Sequence, residues 1–222
     1  RRFAEVATFK NVFEPSWDDA MNNTYSLKGN WGENFFKNTN PIVLELACGG
    51  GEYTVGLSRL HPDKNFIGID IKGNRIWKGA KIAIAEGLTN VGFLRTRIDF
   101  IENFFAKNEI SEIWITFPDP QPQANRRRKR LTNTMFLNRY RKFMKPGGKM
   151  RLKSDSTFFY EFTKEVVAEE KLELLVDSND VYNKLCPAQP DSQLTKELSI
   201  KTYYEKKWLE MGKLIKYLEY KL

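Results

Sequence analysis

A short apolar segment that runs into a glycine-rich loop constrains the fold of this chain most strongly. Residues 42–46 read Ile-Val-Leu-Glu-Leu, which is typical of a buried strand, and residues 47–51 read Ala-Cys-Gly-Gly-Gly, which is typical of a tight loop. A helical segment follows over 52–60, and a second apolar strand over 66–70 ends on an acid. This order of strand, loop, helix and strand favours a parallel sheet with crossover helices.

The alternation continues along the rest of the chain. It predicts an α/β fold with a doubly wound, mostly parallel, seven-stranded sheet and helices on both faces. The remaining strands are expected at 91–98, 112–116, 149–153, 172–176 and 214–222. Helices are expected at 75–86, 100–105, 131–144, 157–169 and 203–211, and an extended segment at 198–202. We expect residues 1–40 to form an N-terminal extension or arm and residues 41–222 to form one domain.

Composition narrows the class of protein. The 222 residues carry a net charge of +8, which favours a polyanion such as nucleic acid as the partner. Cys48 and Cys186 lie far apart without metal-like spacing, so we expect free thiols in a reducing, cytoplasmic compartment. Because His61 is the one histidine, a histidine-based zinc site or a Ser-His triad is excluded. We expect no metal, no signal peptide and no transmembrane helix.

The glycine loop and the acid at 70 together predict a cofactor site. Ligands of such sheets bind at the carboxyl ends of the strands, where Asp70 is suited to accept hydrogen bonds from two ribose hydroxyls. A dinucleotide fingerprint needs a third glycine where this chain has Glu52, whose carboxylate would repel a pyrophosphate. The pattern instead suits S-adenosylmethionine, with Glu45 holding its ammonium directly or through water. The alternative is a tight turn beside a buried acid.

A stiff acidic turn followed by a basic run predicts a second functional element. Asp119 lies between Pro118 and Pro120 at the end of an apolar strand, and proline fixes the backbone on either side of it. Five cations follow at 126–130. A turn residue beside a solvated charged face is one interpretation. The other is a functional carboxylate beside a basic segment that binds a polyanion.

Three motifs give the chain a resemblance to a known family. The segment 43–51, the strand end Ile67-Gly68-Ile69-Asp70 and the turn Phe117-Pro118-Asp119-Pro120 resemble the bacterial tRNA (guanine-N(7)-)-methyltransferase family, the TrmB type. The segment 202–208 resembles its Thr-x-x-Glu element. The resemblance implies a Rossmann-like class I methyltransferase fold. It also implies transfer of the S-adenosylmethionine methyl group to a variable-loop guanine of tRNA, at nucleotide position 46.

The resemblance and the loop pattern together name the site residues. Asp119 is expected to be catalytic and to border both cofactor and base. Cofactor contacts are expected from Glu45, Ala47, Gly49, Gly51, Asp70 and Asp119, with Arg97 or Asp99 on the adenine side. Substrate contacts are expected from Gln123, Arg126, Arg127, Arg128, Lys129, Arg130, Asp155, Thr202 and Glu205. Two alternatives stay open, since Asp155 also suits a helix cap and the Thr-x-x-Glu pattern also suits a capping box.

The chain departs from the family pattern at several positions. Ala47 replaces the first motif glycine, and Arg97 stands where the family has an acid, with Asp99 two positions later. Gln121, Gln123 and Asn125 replace the Trp, Lys and Arg that the family uses after the turn. Guanine N7 carries a free lone pair, so the expected reaction requires positioning rather than a general base. The alternatives are methylation of another RNA or DNA base and a non-enzymatic tRNA-binding protein. We expect a monomer or a homodimer.

Overall fold

The computed structural model describes residues 2–222 and contains one eight-stranded sheet. The strand order is β1-β4-β3-β2-β5-β6-β8-β7, in which β8 pairs antiparallel with both β6 and β7 and the other pairings are parallel. The strands are β1 (Val12–Phe13), β2 (Ile42–Leu46), β3 (Asn65–Asp70), β4 (Val91–Arg95), β5 (Ile110–Thr116), β6 (Met144–Ser154), β7 (Leu174–Ser178) and β8 (Lys216–Lys221). The predicted fold class is confirmed.

Helices fill most of the connections between strands. They are α1 (Arg2–Val6), α2 (Trp17–Asn22), α3 (Glu52–Leu60), α4 (Gly73–Ala85), α5 (Thr134–Arg141), α6 (Thr157–Glu169), α7 (Cys186–Ala188), α8 (Gln193–Leu198) and α9 (Tyr203–Glu210). Short 3₁₀ turns cover Ile98–Asn103 and Ala124–Lys129, and π-type turns cover Trp31–Phe36 and Val181–Leu185.

The core lies on both faces of the sheet because side chains alternate along each strand. Leu44 and Leu46 of β2 pack into one buried cluster, whereas Val43 between them packs into the other. In β5, Ile113 and Ile115 take the first side and Trp114 takes the second. A strand that is buried on both faces reads as a continuous apolar run, which is why its sequence pattern was clear.

The N-terminal segment contributes an eighth strand that the sequence did not predict. Val12 and Phe13 pair in parallel with Phe93 and Leu94 of β4. Trp31 is fully buried, and its Nε1 donates a hydrogen bond to Phe104 O at 2.9 Å. The segment therefore packs against the sheet as part of the same core.

Three element bounds differ from the sequence-based expectation for local reasons. Asn133 caps α5 by accepting a hydrogen bond from the Phe136 amide at 3.0 Å, so the helix begins later than predicted. Met144 pairs with Ile110 and belongs to β6 rather than to α5. Ser192 caps α8, which ends at Leu198, and a turn and a loop take the place of the extended segment expected at 198–202.

Candidate active site

The loop that follows β2 is held in an unusual backbone conformation. Ala47, Gly49 and Gly51 all have positive φ, at 56°, 56° and 72°. A non-glycine residue in the left-handed region stores strain that is found mostly at functional sites. Gly51 could not carry a side chain, because an added Cβ would lie 2.6 Å from the Phe93 ring. The loop is therefore fixed in a shape that exposes its backbone at the end of the sheet.

Asp70 secures this loop from the neighbouring strand. Its Oδ2 accepts a hydrogen bond from the Gly49 amide at 3.0 Å, and its Oδ1 accepts one from the Lys72 amide at 2.8 Å. An ionised carboxylate has about four acceptor positions, so each oxygen keeps capacity for a ligand. The site therefore fits a ligand that presents two adjacent hydroxyls.

Glu45 lies beneath the loop rather than in the wall of the cavity. It is 2% exposed and accepts hydrogen bonds from the Thr54 amide at 2.8 Å, from the Thr54 hydroxyl, and from Thr116 Oγ1 at 2.5 Å. Burial raises the pKa of Glu45 to about 7, against the lowering effect of these hydrogen bonds. In this arrangement Glu45 ties β2 to α3 and to β5.

The turn after β5 leaves Asp119 exposed to solvent. Phe117 and Gln121, on either side, have φ of 48° and 47°. The Phe117 amide donates to Lys153 O at 2.9 Å, and the Gln121 amide donates to Asp119 Oδ1 at 3.1 Å. Asp119 itself is exposed. The strained turn therefore presents one carboxylate toward solvent at the mouth of the parallel sheet.

The basic run divides into one interior cation and four exterior ones. Arg130 is 5% exposed and donates to Gln121 O at 3.0 Å and to Pro122 O at 3.3 Å. Its guanidinium lies 4.6 Å and 4.5 Å from the ring centres of Phe158 and Phe162. Arg130 therefore anchors the turn to α6, which differs from the phosphate contact that the run suggested. Arg126, Arg127, Arg128 and Lys129 are exposed.

In the Thr-x-x-Glu motif, Thr202 lines the cavity and Glu205 lies in the interior. Thr202 caps α9 and accepts a hydrogen bond from the Glu205 amide at 3.1 Å. Glu205 is fully buried, with its carboxylate 2.7 Å from Lys153 Nζ and 2.5 Å from the Tyr182 hydroxyl. Thr202 is thus a helix cap, but Glu205 does not complete a capping box, because its carboxylate is directed away from the cavity to Lys153 and Tyr182.

Asp155 is likewise occupied by a neighbour. Its Oδ2 lies 2.9 Å from Lys213 Nζ, and its backbone carbonyl accepts from Lys216 Nζ at 3.0 Å. The cap of α6 is Ser156, which accepts from the Phe159 amide. Asp155 neither caps the helix nor lines the cavity. On the adenine side, Arg97 and Asp99 form an ion pair at 3.2 Å.

These elements enclose one cavity of about 860 Å³ at the carboxyl ends of the strands. It spans the point between β2 and β5 where the strand order reverses, which is where such sheets bind ligands. Of the residues predicted for the site, the cavity is lined by Ala47, Gly49, Asp70, Arg97, Asp99, Asp119, Lys129 and Thr202. The predicted residues that do not line it are Glu45, Gly51, Gln123, Arg126, Arg127, Arg128, Arg130, Asp155 and Glu205.

Comparison with known proteins agrees with the sequence resemblance. Residues 39–218 match a family model described as "Putative methyltransferase". A tRNA (guanine-N(7)-)-methyltransferase of Christiangramia forsetii is 53% identical over 100% of this chain and 96% of its own length. A protein of the same name from Bacteroides thetaiotaomicron is 48% identical over 100% of this chain and 84% of its own. The chain belongs to the tRNA (guanine-N(7)-)-methyltransferase family.

Solved structures support the fold of this methyltransferase. The 16S rRNA methyltransferase KamB superposes with a TM-score of 0.62 at 15% identity, over 86% of this chain and 91% of that chain. A structure titled "Structure of an Antibiotic Related Methyltransferase" gives a TM-score of 0.58 at 15% identity, over 90% and 96%. At this level of identity the likeness concerns the arrangement of strands and helices, which confirms the Rossmann-like architecture.

Three further features concern the part of the methyltransferase that the structure describes. Within 2–222, no group of three or more acidic, histidine or cysteine side chains is placed to hold a metal ion. In the same range, no helix has the length and apolar character needed to cross a bilayer. Cys48 and Cys186 are both unpaired thiols in the interior.

The cavity wall also contains residues that the sequence reasoning missed, and two of them are tyrosines. Tyr203 and Tyr204 line the cavity and are 66% and 48% exposed, with ring centres 5.5 Å apart. A pair of tyrosines directly after the Thr202 cap was visible in the sequence. Their position on the exposed first turn of a capped helix was the signal that could have identified them.

Proposed function

We propose that the protein transfers the methyl group of S-adenosylmethionine to N7 of a variable-loop guanine in tRNA, at nucleotide position 46. One observation carries the proposal. The glycine loop with Asp70 on one side and the exposed Asp119 on the other line the same cavity. A donor held by the first and a base held by the second would therefore meet within it.

The residues of the first side fit the cosubstrate. Asp70 has acceptor capacity for the two ribose hydroxyls, and the backbone of Ala47 and Gly49 is open to the amino-acid portion. Asp99 or the neighbouring Arg97 lines the region proposed for adenine. Glu45 supports the loop from below. S-adenosylmethionine supplies an electrophilic methyl group when it is bound.

The second side is suited to hold and orient a base. Guanine N7 needs no base to remove a proton, so the protein contributes alignment of the reacting atoms. The Asp119 carboxylate can accept hydrogen bonds from the N–H groups of the guanine edge. Its negative charge also favours the positive charge that develops on the methylated base. Phe117 and Pro118 line the cavity beside it and exclude water.

The exposed part of the basic run supports a contact with the phosphates of the tRNA backbone. Arg126, Arg127, Arg128 and Lys129 form a 3₁₀ turn directly after the Asp119 turn. Among the described residues, these four side chains make no ion pair with a carboxylate within 4.0 Å. Cations that are not paired with a carboxylate can neutralise phosphates without breaking an ion pair in the protein. Lys129 also lines the cavity and so joins the two surfaces.

The test is incubation of the protein with tRNA and methyl-labelled S-adenosylmethionine, followed by nucleoside analysis. We expect label in 7-methylguanosine at position 46, and none in a tRNA that carries adenine there. Label in another nucleoside would contradict the proposed target atom. Binding of tRNA without binding of S-adenosylmethionine by calorimetry would contradict an enzymatic function.

The proposal includes the setting of the reaction. A cytoplasmic location follows from a tRNA substrate and from free thiols, which persist in reducing compartments. We expect the purified protein to be a monomer or a homodimer. Sedimentation of the purified protein distinguishes these two states.

A further inference from the structure

One buried ammonium group connects elements from distant parts of the chain. Lys153, near the end of β6, is fully buried. Its Nζ lies 2.6 Å from Leu198 O, 3.1 Å from Ile200 O and 2.7 Å from Glu205 Oε1. The Tyr182 hydroxyl, 3.3 Å away, completes the cluster. The side chain therefore fixes the whole segment that leads from α8 into α9.

The backbone of Lys153 contacts the opposite wall of the cavity, which is the Asp119 turn. Lys153 pairs with Thr116 in the sheet, and its carbonyl accepts the hydrogen bond from the Phe117 amide at 2.9 Å. Phe117 is the strained residue that begins the Asp119 turn. The Lys153 ammonium also lies 5.9 Å from the centre of the Phe117 ring. One residue thus contacts both sides of the region proposed for the base.

The wall that Lys153 reaches through its side chain is the start of α9. Thr202, Tyr203 and Tyr204 line the cavity, whereas Glu205 is directed inward to Lys153. The Glu205 carboxylate is therefore the point at which this wall, the tyrosine wall, is attached to the sheet. Both of its oxygens are used: Lys153 Nζ lies 2.7 Å from Oε1 and 3.0 Å from Oε2, and the Tyr182 hydroxyl donates to Oε1 at 2.5 Å.

We propose that Lys153 and Glu205 are positioning residues that hold the tyrosine wall and the Asp119 turn at a fixed separation for the tRNA base. The inference rests on the proposed function and deepens it. Glu205 acts through Tyr203 and Tyr204 and does not touch the substrate. A buried ion pair adds little net stability compared with apolar groups, but it has a strict geometry. That property suits a pair whose role is the spacing of two walls.

The decisive experiment is a double-mutant cycle on this pair. Lys153→Met, Glu205→Gln and the combined variant are compared with the wild type for tRNA binding, by fluorescence anisotropy in the presence of S-adenosylhomocysteine. The KM and kcat for tRNA and the dissociation constant of S-adenosylmethionine are measured in parallel. Because the two residues act as one unit, we expect each variant and the double variant to weaken tRNA binding by a similar factor, about 10-fold or more.

The binding of S-adenosylmethionine serves as an internal control. Its dissociation constant should change less than 2-fold, since its proposed contacts lie on the other side of the cavity. Val167→Ala is the matched stability control, because Val167 is buried in α6 and lies outside the cavity wall. It should lower the melting temperature and leave tRNA binding unchanged.

Several outcomes would overturn the inference. Additive effects of the two substitutions would assign Glu205 its own contact with tRNA. A double variant with wild-type tRNA binding and KM would remove the positioning role, even if a single variant failed to fold. Loss of S-adenosylmethionine binding to the same extent would indicate a general structural role. If the wild type bound tRNA without forming 7-methylguanosine, the proposed function would fail. The ratio of the tRNA dissociation constants of variant and wild type would still decide the positioning role.

Discussion

The side chains on the two sides of the cavity differ in burial and in the number of contacts they make within the protein. On the cofactor side, Asp70 and Glu45 are buried and hydrogen-bonded to the backbone or hydroxyl groups that surround them. On the substrate side, Asp119, Tyr203 and Tyr204 are exposed and receive few contacts from the chain. Under the proposed assignment of the two sides, this difference favours a donor site that is formed in advance and a base site that tRNA completes. Variants on the two sides should therefore separate cosubstrate binding and stability from tRNA binding and turnover.

The largest effect is expected on the substrate side. Asp119→Ala should lower kcat by about 10²–10³-fold, because it removes a group aimed at developing charge. The fold should survive, since the carboxylate is exposed and accepts one hydrogen bond within its own turn. Turnover and melting temperature are the measurements, with Asp191→Ala, an exposed acid outside the cavity, as the control. Near-normal turnover would reject the catalytic role of Asp119.

The next effect is a pH dependence on the cofactor side. Burial raises the folded-state pKa of Glu45 from 4.5 to about 7. The folded state then holds the proton more tightly than the unfolded state, so this contribution to stability is complete below pH 4.5. It is lost as pH rises to about 7, and the shift corresponds to about 3 kcal/mol.

Chemical unfolding at pH 4.5 and pH 8 measures this contribution. Glu45→Gln keeps the shape and cannot titrate, so its free energy of unfolding should lose that part of the pH dependence. A variant whose pH profile overlays that of the wild type would show that Glu45 does not titrate in this range.

A smaller effect is expected at the ribose clamp. Asp70→Asn removes a charged acceptor, and hydrogen bonds to charged groups contribute about 1.5–3 kcal/mol. We therefore expect the dissociation constant of S-adenosylmethionine to rise by roughly 10–100-fold, as measured by calorimetry. Binding of tRNA in the absence of cosubstrate should be unchanged. Equal losses of both ligands would contradict the separation of the two sides.

The smallest effect concerns the exterior cations. Replacing Arg127 and Arg128 by alanine should reduce the slope of log K against log salt for tRNA binding by about 1.4–1.8, which corresponds to two phosphate contacts. Lys171→Ala and Lys145→Ala, exposed cations on other surfaces, form the matched control pair. An unchanged slope in the Arg127 and Arg128 variant would show that the exterior cations do not contact phosphates.

Local patterns account for the parts that the sequence predicted well. The apolar runs of the parallel strands, the loop at 47–51 and the acid at 70 are each encoded within a few neighbouring residues. Strand β1 has two residues, too few to show any periodicity, and it forms because the sheet offers the edge of β4. Its presence depends on tertiary pairing that no local pattern records.

The direction of single side chains within the motifs was not readable from sequence. Arg130 is buried, unlike its neighbours in the basic run, because its guanidinium packs on Phe158 and Phe162 of α6, which follow α5 and β6 in the chain. Glu205 is turned inward by an ammonium group on β6, 52 residues away. Charge and spacing located both segments, while the long-range contacts decided which of their side chains face the solvent.

The position of β8 has a consequence for the order in which the molecule is built. This strand comes after every other strand in the chain, yet it lies between β6 and β7. Strand β7 therefore has no partner in the sheet until Lys216–Lys221 have been synthesised. Because β8 follows every other strand in the chain, it leaves the ribosome after the strands of the cavity have emerged. The far edge of the sheet should then close after the β2–β5 part of the sheet has formed.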